Sequence, residues 1–386
     1  MGLISRIRPA RLEFNPSTKH ANPNAQDKGD VMKGWMLDQP GEPLALRDVP
    51  QPVARRGAVL VGVEAVPLLS YTRQYVQGKL PYGYPPGPFS PGTNGVGRVL
   101  AVGEGVYGYR EGQRVALSPY WVADEALREP AQALLGLTAI SPDSAPMLAD
   151  FPHGTLREAV EFPASTVFPL DGLDHIPSAQ LAALGKLVVP FGGLRRGRLA
   201  AGETVVVNGA AGAFGSAAVL DALALGASRV VALGRRASAL APLGALGGRV
   251  VTVVLSGETA RDVEAIRAAA NGGADLAFDM VGHATDPNAT LAALRSLRRN
   301  GRMVLMGSME VDLPITYREM LINNWELMGH FMYSGADYRA LIALVRSGQV
   351  PLDAIEVERH AFEALEAAID AAEKAEGLTC VTVCTS

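Results

Sequence analysis

Thr204-Val205-Val206-Val207-Asn208-Gly209-Ala210-Ala211-Gly212-Ala213-Phe214-Gly215 decides the fold of this chain. Three β-branched valines in succession predict a buried strand. Gly209, Gly212 and Gly215 follow at three-residue spacing. From Ser216 to Gly226 the chain turns Ala-rich and apolar, which predicts a helix. A strand, a glycine turn and a helix in this order present free backbone N–H groups and a positive helix end to a phosphate. The glycines permit a tight turn and a close approach to a pyrophosphate. Ala210 and Ala211 depart from the strict glycine spacing, and the same pattern also serves close packing of helix on strand with no ligand. The flanking sequence has to separate the two readings.

Downstream, strands alternate with helices. Thr204–Val207, Arg229–Leu233, Arg249–Val254, Ala274–Asp279 and Arg302–Met306 read as strands, with helical stretches such as Glu258–Ala270 and Pro287–Leu297 between them. That alternation predicts a doubly wound α/β sheet. Residues 178–198 read as a helix leading into it. Leu341–Arg346 and Ala361–Ala375 read as later helices, and Thr379–Val383 as a final strand returning to the first half. Upstream, Met32–Leu37, Pro43–Val49, Val59–Val66, Gly95–Gly103, Gly112–Leu117, Gly154–Phe162 and Thr166–Pro169 are short β segments, which predict a barrel-like domain. A short helix is expected within Ser70–Val76. Lys79–Gly92 and Ser118–Pro152 read as loops. The expected division is an irregular extension over 1–30, a catalytic domain over 31–185, a nucleotide-binding domain over 186–334 and a C-terminal return over 335–386.

Composition narrows the function classes. A chain of 386 residues has room for two domains and a large core. With 48% hydrophobic and 19% charged residues it has the profile of a soluble globular protein. A net charge of −4 gives nucleic acid no electrostatic footing. Cys380 and Cys384 are the only cysteines, so a disulfide framework and a four-cysteine zinc lobe are both excluded. A cytoplasmic setting is the expectation. No apolar run reaches the roughly 18–20 residues of a membrane span, and no signal-peptide core follows Arg6, Arg8 and Arg11.

Several landmarks then occur in a telling order. Gly92-Thr93-Asn94-Gly95-Val96-Gly97-Arg98-Val99 resembles a Gly-His-Glu-x-x-Gly segment. Val102-Gly103-Glu104-Gly105-Val106 with Gly112-Gln113-Arg114-Val115, then Gly154-Thr155-Leu156-Arg157-Glu158, and Gly202-Glu203-Thr204-Val205 before the glycine turn follow it. Asp279-Met280-Val281-Gly282 and Gly301–Gly307 complete the series. Over residues 32–386 the chain resembles the medium-chain dehydrogenase/reductase superfamily. The resemblance implies a doubly wound Rossmann-type parallel sheet plus a GroES-like β-barrel catalytic domain, a nicotinamide cofactor, a small-molecule substrate and a homodimer through the nucleotide domain, with Val311–Ile315 as a contact strand.

The departures from the family pattern carry the chemistry. Where zinc-dependent members place a cysteine, this chain has Leu69. Thr93 and Asn94 replace the His and Glu, and Ala182–Gly185, where a third ligand would stand, holds no Cys or His. Leu, Thr and Gly do not bind Zn²⁺, which takes thiolate, imidazole or carboxylate. The chain thus resembles the zinc-independent branch of quinone oxidoreductases and enone reductases.

Cofactor choice is read at Ala232-Leu233-Gly234-Arg235-Arg236. No carboxylate is present for a ribose 2′-hydroxyl. Two arginines at a helix N-terminus cost a few tenths to about 1 kcal/mol against the helix dipole. A 2′-phosphate would relieve this with charge-assisted bonds of roughly 1.5–3 kcal/mol, so NADPH is expected. Asn208, Gly209, Ala210, Ala211, Gly212, Ala213, Phe214 and Gly215 would hold the diphosphate. By resemblance, Val281 lies beside a ribose, and Met306, Gly307, Ser308 and Phe331 line the nicotinamide. His330 fits a structural role better than a ligand role.

Without a metal, the substrate oxygen needs a hydrogen-bond donor while charge develops on it. Tyr71, Thr93 and Asn94 are the candidates, although Tyr71 also suits packing and Asn94 also suits a turn. Tyr75, Tyr82, Tyr84, Tyr120 and Trp121 fit either an apolar pocket or ordinary loop packing. The expected reaction is hydride transfer to an α,β-unsaturated carbonyl or a quinone. Metal-free carbonyl/alcohol oxidoreduction and an NADPH-binding sensor without turnover are the alternatives.

Overall fold

The computed structural model describes residues 31–385; the expected extension over 1–30 lies outside them. The decisive stretch forms the strand Thr204–Asn208 and the helix Ala213–Ala224. Val205 and Val207 enter one apolar core and Val206 enters another. A continuous valine run, rather than an alternating one, is what a parallel strand covered on both faces requires. Six strands lie side by side in the order 250–254, 229–234, 204–208, 274–279, 297–305, 326–329, and every pairing is parallel. The order reverses direction at Thr204–Asn208, where a doubly wound sheet leaves its ligand crevice.

The other half is built on Ala58–Pro67, which pairs antiparallel with Gly95–Val102, Ala159–Pro163 and the C-terminal strand Thr379–Cys384. Arg114–Leu117 and Val167–Pro169 extend the sheet on one side and Glu356–Ala361 on the other. The chain therefore returns to its first half at the end, and Pro67 pairs with Thr382. Val31–Met36 and Ala45–Pro50 form a separate hairpin. No described helix is long and apolar enough to cross a membrane.

Some expected elements are corrected. The segment 118–152 is not a plain loop: Tyr120–Val122, Gln132–Leu134 and Thr138–Ala139 form a three-stranded sheet, and Ala145–Asp150 is a helix. The strands are too short for periodicity to register. The helix read from Leu341 begins at Gly335, where Ser334 and Asp337 form a reciprocal capping box. The helix read from Ala361 begins at Leu365, because Glu356–Ala361 is a charged edge strand whose composition hides it. The helix over 178–198 is broken into Ser178–Leu181 and Leu184–Arg196. Val311–Ile315 is not a strand; the exposed edge of the parallel sheet is Glu326–Gly329.

One buried group works against the fold. Asp221, on the helix after the glycine turn, is 0% exposed, and neither carboxylate oxygen has a partner among the described residues. Burial pushes its carboxyl well above the ordinary range. The folded protein then holds a proton that the unfolded chain releases, so Asp221 penalises folding least at acid pH. The penalty grows as pH rises from the unfolded value towards the folded one. Asp221→Asn keeps the shape without the charge. It is expected to stabilise the protein by about 1–3 kcal/mol at pH 8 and to leave stability at pH 4 unchanged. Thermal melts at the two pH values check this, and equal shifts at both would show that ionisation is not the cause.

Candidate active site

The glycine turn is shaped by backbone contacts that leave no room for side chains. Gly209 has φ +79°, a conformation natural to glycine. A Cβ on Gly215 would lie 2.0 Å from the Gly209 carbonyl oxygen. The helix that follows has Gly212 as its N-cap and no side-chain cap. The first-turn amides of Ala213, Phe214 and Gly215 are consequently unpaired helix donors. Gly212 is exposed, and Ala211, Ala213 and Phe214 are half-buried, so the turn opens to solvent at the crevice.

Asp279 fixes the turn from the neighbouring strand. Its carboxylate accepts from Asn208 Nδ2 at 2.9 Å, Thr290 Oγ1 at 2.7 Å and the Val281 amide at 3.0 Å. Burial raises its pKa against those three bonds. Asn208 thus positions the turn through its side chain. Gly307 packs so closely that a Cβ there would meet the Val281 carbonyl oxygen at 2.1 Å. Val281 and Met306-Gly307-Ser308 therefore lie side by side at the carboxyl ends of adjacent strands, one edge of the crevice. Phe331 follows the last strand, is 50% exposed and packs edge-on against Tyr120 of the barrel half at 5.9 Å. His330 is half-buried with an unpartnered Nε2, and burial lowers its pKa.

Gly234 is buried at the end of Arg229–Gly234, with Arg235 and Arg236 exposed just beyond it. Arg236 is the N-cap of the next helix, Ala237–Gly244. Its guanidinium is already paired with Glu376 at 2.5 Å. No local pattern points to this carboxylate, because it arrives from the C-terminal return.

Three places separated in sequence meet at one end of the barrel. Leu69 and Tyr71 follow the strand that ends at Pro67, and Thr93 and Asn94 precede its partner strand, in which Val96 pairs with Ala65. Gly185 completes the group: a Cβ there would lie 2.7 Å from Asn94 Cβ. Among the described residues no group of three His, Cys, Asp or Glu side chains is arranged to hold a metal. The donors at this spot are one hydroxyl, a phenol and a carboxamide. Such a set does not fit Zn²⁺.

These side chains are differently engaged. Asn94 is buried, donates weakly to the Leu117 carbonyl at 3.4 Å and lies close to the buried Tyr333 and Tyr338 phenols. Tyr333 Oη and Ser118 Oγ share a 2.9 Å hydrogen bond. Asn94 is thus tied into a buried polar knot beneath the site, and Tyr333 and Ser118 are members of it that sequence reasoning missed. Thr93 is buried, and its hydroxyl makes no hydrogen bond among the described residues. Tyr71 is the N-cap residue of the Thr72–Val76 helix, and its phenol neighbours that of Tyr82. The Tyr71 ring is partly exposed, yet desolvation of its hydroxyl, followed by the Tyr82 phenol, drives its pKa far above the ordinary phenol range. It stays protonated at neutral pH. Tyr75 is buried, donates to the Leu137 carbonyl and stacks on Tyr84, while Trp121 packs edge-on against Phe151. These three pack against neighbouring rings.

Residues 55–172 match the family model described as the alcohol dehydrogenase GroES-like domain, and residues 213–347 match that described as zinc-binding dehydrogenase. The chain is 29% identical over 352 residues to a putative D-xylulose reductase of Rhizobium meliloti, covering 89% of this chain and 96% of the relative. It is 26% identical over 328 residues to an NAD-dependent alcohol dehydrogenase of Sulfurisphaera tokodaii, covering 83% and 90%. The crystal structure of AibC superposes with a TM-score of 0.78 at 21% identity, covering 95% of this chain and 99% of that one. With the crevice, the glycine turn and both domain matches in agreement, the chain belongs to the medium-chain dehydrogenase/reductase superfamily and is an oxidoreductase that uses a nicotinamide cofactor.

Proposed function

We propose that this enzyme is an NADPH-dependent reductase that works without zinc and acts on an activated double bond, an α,β-unsaturated carbonyl or a quinone. The observation that carries the reading is the donor set at the barrel end. Leu69, Thr93 and Gly185 supply no metal ligand, while Thr93 and Tyr71 offer uncharged hydroxyl donors. When bound, the reduced nicotinamide supplies a hydride. The glycine turn and the Val281 and Met306–Ser308 segments hold and orient it. Tyr71 and Thr93 then stabilise oxyanion charge by hydrogen bonding as it develops. An enolate or hydroquinone oxyanion is a softer demand than an alkoxide, which suits such donors. Arg235 and Arg236, with no carboxylate on Gly234, favour a 2′-phosphorylated cofactor.

Metal-free reduction of a simple carbonyl, or oxidation of an alcohol, is the second reading. It is favoured by the relatives, which are named for polyol and alcohol chemistry. The test is NADPH oxidation by the purified protein with matched enone, quinone, ketone and aldehyde substrates. Turnover of enones or quinones well above ketones supports the first reading. The reverse order would replace it with the second. We further propose a homodimer through the exposed edge Glu326–Gly329 and the neighbouring Tyr317, Leu321 and Ile322, which are 83%, 64% and 52% exposed.

A further inference from the structure

Glu376 belongs to the segment between the helix Leu365–Lys374 and the strand Thr379–Cys384, not to the nucleotide-binding sheet. It is nevertheless held beside the glycine turn. The next residue, Gly377, donates its amide to the Ala211 carbonyl in the glycine turn at 3.1 Å. The Gly377 carbonyl accepts from Ser216 Oγ at 2.5 Å and from the ammonium of buried Lys186 at 2.5 Å. Lys186 also donates to the Thr379 carbonyl at 2.7 Å. With its backbone pinned on both sides of the peptide, Glu376 reaches across to Arg236 Nη2 at 2.5 Å. Arg235, beside it, makes no ion pair among the described residues and lies exposed.

We infer that Glu376 is a specificity-determining residue that sets the enzyme's discrimination between NADPH and NADH. This rests on the reading that a 2′-phosphate binds at Arg235-Arg236. A cofactor lacking that phosphate leaves the Arg236–Glu376 pair intact. A 2′-phosphorylated cofactor takes the guanidinium from Glu376 and brings a dianion next to its carboxylate. Both side chains are more than half exposed, 62% and 58%, so the pair is weak and yields to the phosphate. It nevertheless lowers the preference for the phosphorylated cofactor, and it does so through a carboxylate delivered from the other half of the molecule.

The test is calorimetric binding of NADPH and NADH to the full chain without substrate, for wild type, Glu376→Gln, Arg236→Ala and the double variant. The readout is the ratio of the two dissociation constants, with thermal melts as a folding control. Glu376→Gln is expected to raise the preference for NADPH by about three- to tenfold, an effect that shrinks with added salt. NADH affinity should stay within about twofold, the scale of a surface pair that the ligand does not touch. Arg236→Ala should lower the preference, and Glu376→Gln should raise it by less in that background than in wild type, because only the direct repulsion between carboxylate and phosphate is then removed. If Arg236→Ala lowers the ratio but Glu376→Gln leaves it unchanged, or alters both cofactors equally, the role given to Glu376 is overturned while the 2′-phosphate reading stands. If Arg236→Ala leaves the ratio untouched, both are overturned.

Discussion

Gly212→Ala is expected to weaken binding of NADPH and NADH by roughly 10- to 100-fold, the equivalent of about 1.4–3 kcal/mol of steric cost, with only a small loss of thermal stability. Gly212 is exposed, with an ordinary φ of −77°, and the nearest atom to an added Cβ is the Gly209 carbonyl oxygen at 3.3 Å. A shift of a few tenths of an ångström therefore accommodates the methyl group in the free protein, whereas a pyrophosphate seated on the turn would meet it directly. Gly215→Ala is the contrasting case, because its Cβ would stand 2.0 Å from that same oxygen, too close for local adjustment to relieve. That variant should lose both stability and cofactor. Calorimetric titration with parallel thermal melts separates the two. Unaltered cofactor affinity in Gly212→Ala would place the diphosphate elsewhere.

The second large effect is expected at Tyr71. Removing one hydrogen-bond donor to a developing oxyanion costs about 100-fold in kcat, so Tyr71→Phe should lower kcat to that extent while leaving the cofactor dissociation constant unchanged. Thr93→Val tests the other hydroxyl. The sign of the Tyr71 shift adds a pH criterion. Desolvation raises its pKa far above the ordinary phenol value, so its ionisation should cause no fall in rate between pH 7 and pH 10. Steady-state kinetics over that range decide the matter. A Tyr71→Phe enzyme with wild-type kcat would remove the phenol from the mechanism and leave Thr93 as the oxyanion donor.

The parts of the molecule that were legible in the sequence are those whose physics is local. Val205–Val207 announce a doubly covered strand by composition alone, and Gly209, Gly212 and Gly215 announce the turn by spacing. Leu69, Thr93 and Asn94 differ from the usual zinc-ligand types by side-chain chemistry alone. The illegible parts depend on contacts across long separations. Glu376 lies 140 residues from Arg236, and no local pattern joins them. The knot of Asn94, Ser118, Tyr333 and Tyr338 is assembled from both halves of the chain, so Asn94 read as a free donor when its carboxamide is engaged. Glu356–Ala361 was hidden for a different reason. An edge strand needs little apolar surface, and its partner Thr379–Cys384 lies beyond an intervening helix.

The proposed hydride transfer without a metal is tested most directly by elemental analysis of the active enzyme coupled to its NADPH-dependent turnover. Far less than one zinc per chain is expected, with a rate that prolonged chelation leaves unchanged. One zinc per chain, with activity that is lost on its removal and recovered on its return, would contradict it.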